Sequence, residues 1–250
     1  MVSQAVPDTH PIDAPGTPEA EWTAWDWHQE RAFASTLVSG ASASSVVIVA
    51  AHPDDEVLGA GGLISVLAAG GARLRLVAVT DGEASHRGRA RPSTLVRRRA
   101  AETAAALDVL GAETTEVIRL GLPDGQLAAR EESLVADLRR LTAGFGTCLA
   151  PWDRDMHPDH EATGRAASRA CPQAVCYYPI WMWHWACPGD PRVPWDRAAR
   201  VRLPAWAAAR KQAAIGCFAS QLEDRGGGLG PVLAPEMIAH FTRAAEVLIQ

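Results

Sequence analysis

At 250 residues, with 48% hydrophobic and 21% charged positions, the chain has the composition of a globular protein and the length for one α/β domain with a full core. A net charge of −5 argues against nucleic acid as a partner, since phosphates call for a basic face. Five cysteines (148, 171, 176, 187, 217), odd in number and without paired Cys-x-x-Cys spacing, argue against a disulfide framework or a zinc–thiolate cluster. No leader pattern and no apolar run of membrane-spanning length is seen, so the expected location is cytoplasmic.

In chain order, residues 1–44 are expected to form an N-terminal arm and helix. Pro7, Pro11, Pro15 and Pro18 mark an extended or mobile start. Residues 19–38 read as a helix whose Trp22, Trp25, Trp27, Phe33 and Leu37 pack on the domain surface; an aromatic flap over a ligand is the sharper alternative. Gly40–Ser45 is a small-residue linker. From 45 to 250 a single catalytic domain is expected, in which strands alternate with helices: strand 46–50, helix 57–69, strand 74–79, helix 94–110, strand 116–120, helix 131–142, strand 147–150 and helix 160–170. That alternation predicts a Rossmann-like α/β fold, a mostly parallel sheet with helices on both faces. Further on, a strand over 174–178, a helix over 204–218, a flexible loop at Gly226–Gly230 and a closing helix over 235–249 are expected. The aromatic run Trp181–Trp185 either covers a sheet edge or forms a wall on which a sugar ring stacks.

Two polar clusters stand out, each at a strand-to-helix transition, the edge where open α/β sheets bind ligands. The first is Ala51-His52-Pro53-Asp54-Asp55-Glu56. Three adjacent acids repel one another unless a cation or solvent compensates. Imidazole and carboxylate three residues apart can face one point if a helical turn starts between them, and Pro53 suits that first turn. The same residues also suit a plain acidic helix cap. The second cluster, His157-Pro158-Asp159-His160, repeats the pattern and favours a metal centre over coincidence.

With Gly59, Gly61 and Gly62 added, these two clusters resemble the PIG-L/LmbE-like deacetylases, a family that uses Zn²⁺ to hydrolyse N-acetyl amides, mostly on N-acetylglucosamine-type sugars. Weaker similarities are Thr80-Asp81-Gly82-Glu83, Arg99 to Glu102, Leu120 to Gly125, Lys211 and Ser220-Gln221. The resemblance implies that His52, Asp55 and His160 hold one Zn²⁺ per chain, with Fe²⁺ or Co²⁺ as alternatives. It also implies that Asp54 is the general base, and that His157 stabilises the oxyanion as an imidazolium sustained by Asp159. Arg99, Asp124 and His86 match sugar-binding positions; against this, Arg99 and Glu102 also read as a solvated helical pair, and Asp124-Gly125 as a simple turn. Glu56 is expected to support a metal ligand rather than to be one.

The implied activity is metal-dependent removal of an N-acyl group, acetyl in the first instance, from an amino sugar or glycosylated small molecule. An amidase acting on a larger conjugate and a non-catalytic small-molecule-binding protein of the same fold are the alternatives. A nucleotide-binding module is disfavoured, because phosphate at a helix start wants N–H groups and not three carboxylates. The sequence is silent on oligomeric state.

Overall fold

The computed structural model describes residues 10–12, 14–27, 44–86, 92–173 and 175–250. β1 (Ser45–Ala50) is the central strand; its side chains from Val46 to Ala50 are almost fully buried, as a β-branched run between two helical layers must be. α2 (Asp55–Ala69), β2 (Arg73–Thr80), α3 (Pro92–Val109), β3 (Glu116–Leu122), α4 (Glu131–Leu141), β4 (Thr147–Pro151), α5 (Pro158–Ala170) and β5 (Val175–Tyr178) follow in alternation. After them come α6 (Met182–Trp185), β6 (Ala198–Arg202), α7 (Ala205–Ile215), α8 (Ala219–Leu222), α9 (Pro235–Ala239) and β7 (Ala245–Ile249), while α1 (Glu19–Ala24) precedes the sheet.

The seven strands form one sheet in the order β3-β2-β1-β4-β5-β7-β6. All pairs from β3 to β5 are parallel; β7 runs antiparallel to both of its neighbours. The helices divide by contact into two sets, α2 and α3 with α7, and α4 with α5. Strand order reverses between β1 and β4, so the chain leaves these two neighbours towards opposite edges of the sheet. Such a switch point opens a crevice at the carboxyl ends of the strands. Both His-Pro-Asp turns sit there.

Glycines at 59 and 62 bring α2 close to its neighbours. A Cβ on Gly59 would lie 2.2 Å from the ring of Tyr178, and one on Gly62 would lie 2.3 Å from Leu203. Tyr178 in turn donates its hydroxyl to Val49 O at 2.6 Å, tying β5 across to β1. These glycines therefore serve helix–sheet packing.

The C-terminal expectation needs correction. Residues 235–249 are not one helix: only Pro235–Ala239 is helical, and Ala245–Ile249 is a strand inserted between β5 and β6. A short apolar run does not distinguish a strand from a helical segment, and Glu246 hides the pattern further. That carboxylate is buried, accepting from Lys211 Nζ at 2.8 Å and from the Gly62 and Leu63 N–H groups. Strand β6, which the sequence reading missed, supplies the edge partner of β7. At the other end, helix α1 stops at Ala24 and residues 25–27 are not helical, against the helix expected over 19–38; its remainder from residue 28 on, Phe33 and Leu37 included, lies outside the described residues. No helix among the described residues is long and apolar enough to cross a membrane.

Candidate metal centre and its cavity

The two turns begin alike and fold differently. In the second, helix α5 starts at Pro158 itself, with His157 as the extended residue before it and Asp159 and His160 in the first turn. In the first, helix α2 starts only at Asp55, so Pro53 precedes the helical turn it was expected to open. Asp54 bridges the gap at φ 121° and ψ −30°, a backbone region that costs a non-glycine residue about 1–3 kcal/mol. Two interactions hold it there. Glu56 Oε2 accepts the Asp54 N–H at 3.1 Å, and Arg99 donates both to Pro53 O and, at 2.9 Å, to Asp54 Oδ2.

Across the switch point the two turns converge. His52 Nδ1 lies 3.3 Å from His160 Nε2 and 3.6 Å from Asp55 Oδ2, and His160 Nε2 lies 3.3 Å from Asp55 Oδ1. Donors about 2.0–2.2 Å from a tetrahedral centre are separated by about 3.3–3.6 Å, the range spanned by the sides of this triangle, in which Asp55 turns a different oxygen to each histidine. The ring of His157 stands beside it, 4.6 Å from that of His160 and 5.0 Å from that of His52. The ring nitrogens of His52, His157 and His160 lie within 4.8 Å of one another, so a divalent cation fits among these histidines with Asp55 beside them.

The imidazoles of His52 and His160 are each backed by carboxylate on the far side, the arrangement that fixes a ligating histidine's tautomer and raises its basicity. Nε2 of His52 meets Asp124 Oδ1 at 3.2 Å and Asp159 Oδ2 at 3.3 Å. Nδ1 of His160 meets Asp155 Oδ2 at 2.7 Å. Asp155 is fully buried, and it also accepts the N–H groups of Ile180, Trp181 and Met182, which replace the water it has lost. The sequence reading missed Asp155. Its signal was an acid five residues before His160, the candidate site histidine it meets.

The three adjacent acids are separated by environment. Burial opposes ionisation of Asp55, but His160 and His52 outweigh it and hold this carboxyl well below the usual range. Burial pushes Asp54 up to about 7 against the pull of Arg99, and burial with the Asp54 charge pushes Glu56 up to about 8. The three acids thus differ in how readily each ionises, Asp55 most and Glu56 least. Glu56 supports Asp54 rather than a ligand.

Several expected roles change. Asp159 is turned away from His157: it accepts from the Gly125 and Leu127 N–H groups at 2.7 and 3.1 Å and backs His52. His157 Nδ1 is buried without a hydrogen-bond partner among the described residues. Burial and the charges of His160 and His52 push His157 down to about 3, a direction that opposes the expected imidazolium. Arg99 and Glu102 are both buried and serve different partners, which overturns the solvated-pair alternative: Glu102 accepts from Ser220 N and Oγ. Gly82 makes room for Arg99, since a Cβ there would lie 1.8 Å from its Nη1. Asp124 is no mere turn residue, accepting the Ala84 N–H at 2.8 Å while its other oxygen faces His52. His86 is hydrogen-bonded to Ser85 and lies outside the residues that line the cavity.

That cavity, about 280 Å³, opens directly over the triangle. Its polar side is formed by Asp54, Ser85, Arg99 and Asp124, and its apolar side by Leu58, Ile180, Trp181 and Leu233. Only Trp181 of the aromatic run faces it. Trp183 packs against Trp22, and Trp185 stacks on Trp152.

Residues 47–171 match the family model described as PIG-L, GlcNAc-PI de-N-acetylase, a span that contains both turns. The chain belongs to the PIG-L family. Within it, a 1D-myo-inositol 2-acetamido-2-deoxy-alpha-D-glucopyranoside deacetylase from Catenulispora acidiphila is 30% identical over 161 residues. The match covers 53% of this chain and 52% of that enzyme, so the chain spans about half the length of the curated relative it matches. Among solved PIG-L-like folds, the conserved protein TT1542 from Thermus thermophilus superposes with a TM-score of 0.59 at 26% identity, over 82% of this chain and 93% of that one. A40926 pseudoaglycone deacetylase Dbv21 superposes at 0.63 with 19% identity, over 82% and 96%. N,N'-diacetylchitobiose deacetylase from Pyrococcus horikoshii superposes at 0.53 with 19% identity, over 77% and 79%. At those last two identities the likeness is one of fold.

Proposed function

We propose that the chain is a zinc-dependent hydrolase that removes an N-acyl group, acetyl first of all, from an amino sugar or a glycosylated small molecule. The observation that carries this reading is the triangle of His52 Nδ1, Asp55 and His160 Nε2 with an ionisable carboxylate, Asp54, beside it at the floor of a cavity. The Catenulispora, Pyrococcus and A40926 proteins similar to this chain are all deacetylases, which points the same way. A Zn²⁺ ion, which His52, Asp55 and His160 would hold, would supply Lewis acidity towards the amide carbonyl and make water acidic enough to attack at about pH 7.

The chain's own residues do the rest. Asp54, poised at about 7, takes the proton from the attacking water and returns it to the departing amine nitrogen; one carboxylate suffices because the second transfer restores what the first removed. Arg99 holds Asp54 in its strained turn, so the carboxylate cannot relax away from the cavity. His157 donates a hydrogen bond to the oxygen that becomes an anion as the carbonyl turns tetrahedral. Asp124 and Asp159 keep His52 in one tautomer, and Asp155 does so for His160. Leu58, Ile180, Trp181 and Leu233 exclude water from one side and give the substrate an apolar wall.

Five cysteines without a disulfide support a reducing, cytoplasmic setting. The test is free-amine release from a panel of N-acetylated amino sugars and glycosides by the zinc-loaded protein, with and without a chelator. Release that stops with the chelator and returns with zinc is expected. Failure to turn over any member, with zinc bound, would contradict the reading.

A further inference from the structure

Residues 14–27 and 179–250 lie outside the span that matches the family model, and of the side chains that the second stretch lends to the cavity (Ile180, Trp181, Gln221, Val232 and Leu233) Trp181 is the one whose ring stacks on a site histidine. Its indole stacks on His157, with ring centroids 6.2 Å apart and planes 17° apart, and its backbone N–H is held by the Asp155 oxygen that also holds His160. The placement of Trp181 therefore bears on the oxyanion donor, on one metal ligand and on the cavity wall together.

Trp181 leads into α6, a helix of four residues. A single turn does not sustain itself, because nucleation is costly and its last carbonyls have no intrahelical partner. Here the partners come from the N-terminal segment. The Thr17 N–H donates to His184 O at 2.8 Å, Thr17 Oγ1 to Ala186 O at 2.6 Å, and Trp22 Nε1 to Trp183 O at 2.9 Å. His184 stands edge-on to Trp181 (5.8 Å, 80°) and bonds Ala14 O through Nε2 at 2.8 Å. Under its ring lies Gly16, where a Cβ would come within 2.3 Å of Nδ1. Glu19 fastens the far side of the segment to His240 and Arg243.

We propose that residues 14–22 are a positioning element of the catalytic site: they clamp the turn 181–186 and so set the indole of Trp181 against His157. Thr17, Gly16, Trp22 and His184 are then positioning residues, acting through Trp181, and none of them touches the reacting atoms. The inference builds on the hydrolase reading for its kinetic consequence alone; the placement of Trp181 can be read without any turnover.

The test uses the full chain loaded with zinc and two readouts. The first is the pair of His157 ring C–H proton resonances, assigned by their loss in His157→Gln, which sense the ring current of a stacked indole. The second is kcat and KM on whichever N-acyl substrate the wild type turns over. Gly16→Ala, Thr17→Val and Trp22→Phe should each move the His157 resonances in the direction that Trp181→Leu moves them. They should reduce kcat/KM by about tenfold, a sub-ångström misplacement being enough for that, with zinc content unchanged. Thr17→Ser, which keeps the hydroxyl, should behave as wild type. If Gly16→Ala does not fold, Thr17→Val and Trp22→Phe decide the matter. Variants that lose thermal stability while His157 resonances and kinetic constants stay as in wild type would overturn the proposal and leave the segment as packing only. Shifted resonances in a protein without turnover on any substrate would uphold the clamp and sink the hydrolase reading instead.

Discussion

The two His-Pro-Asp turns share a tripeptide and a place at the end of a neighbouring strand, and their aspartates do opposite things. Asp159 sits in the first turn of a helix with ordinary backbone, and its carboxylate points back to the N–H groups of Gly125 and Leu127 and to His52. Asp54 precedes its helix in a strained conformation and lines the cavity. A delay of helix onset, from Pro158 in one turn to Asp55 in the other, separates them. Backbone conformation, and not the side chain, decides whether a motif aspartate faces the cavity or backs a histidine.

The largest effect expected from that contrast is in catalysis. Asp54→Ala should lower turnover by about 10²–10⁴-fold at saturating metal, the range typical of lost general acid–base catalysis. Asp159→Ala should instead weaken metal binding by about 10–100-fold, as loss of a histidine's carboxylate partner does, with turnover largely recovered at excess zinc. Steady-state assays across a zinc titration distinguish the two; identical zinc dependence in both variants would erase the contrast.

A smaller effect isolates backbone strain from charge. At position 54, Gly should be more stable than Ala by about 1–2 kcal/mol, because only glycine tolerates the observed φ without cost. At position 159 the order should reverse by about 0.5–1 kcal/mol, helical backbone favouring Ala. Denaturant unfolding of the four variants measures both differences, and comparing Gly with Ala cancels the lost carboxylate.

The smallest effect is a control far from both turns. Burial raises the pKa of Glu19, but hydrogen bonds and charge from Arg243 and His240 outweigh it and hold the folded value below the ordinary 4.5. A depressed carboxylate stabilises the fold above its unfolded pKa and stops doing so as pH falls through its folded one. Glu19→Gln should therefore cost about 0.5–1 kcal/mol at about pH 7, a partly exposed pair being weak, and almost nothing near about pH 3. Urea midpoints at the two pH values check the sign.

Much of this was legible in the residues. The alternation of apolar runs and helical spacing from 46 to 170 announced the parallel half of the sheet, and two clusters at strand ends marked the switch point. What stayed hidden depends on contacts distant in sequence. Whether Asp159 faces His157 or His52 depends on where the loop 124–127 lands. Arg99 looked available for a sugar hydroxyl, and only the path of the 52–55 turn shows that it also donates to Pro53 O, Gly82 O and Asp54. Strand β7 was unreadable because Glu246 interrupts its apolar pattern, and the partner that makes that burial tolerable, Lys211, is 35 residues away. Asp155 shows the same limit, its three backbone donors arriving from the turn after β5.

The central claim, that adjacent aspartates 54 and 55 divide into base and ligand, is tested most directly by zinc content after gel filtration of Asp54→Asn and Asp55→Asn. One zinc per chain retained in Asp54→Asn and lost in Asp55→Asn is the predicted result. Zinc lost from Asp54→Asn and kept by Asp55→Asn would contradict it.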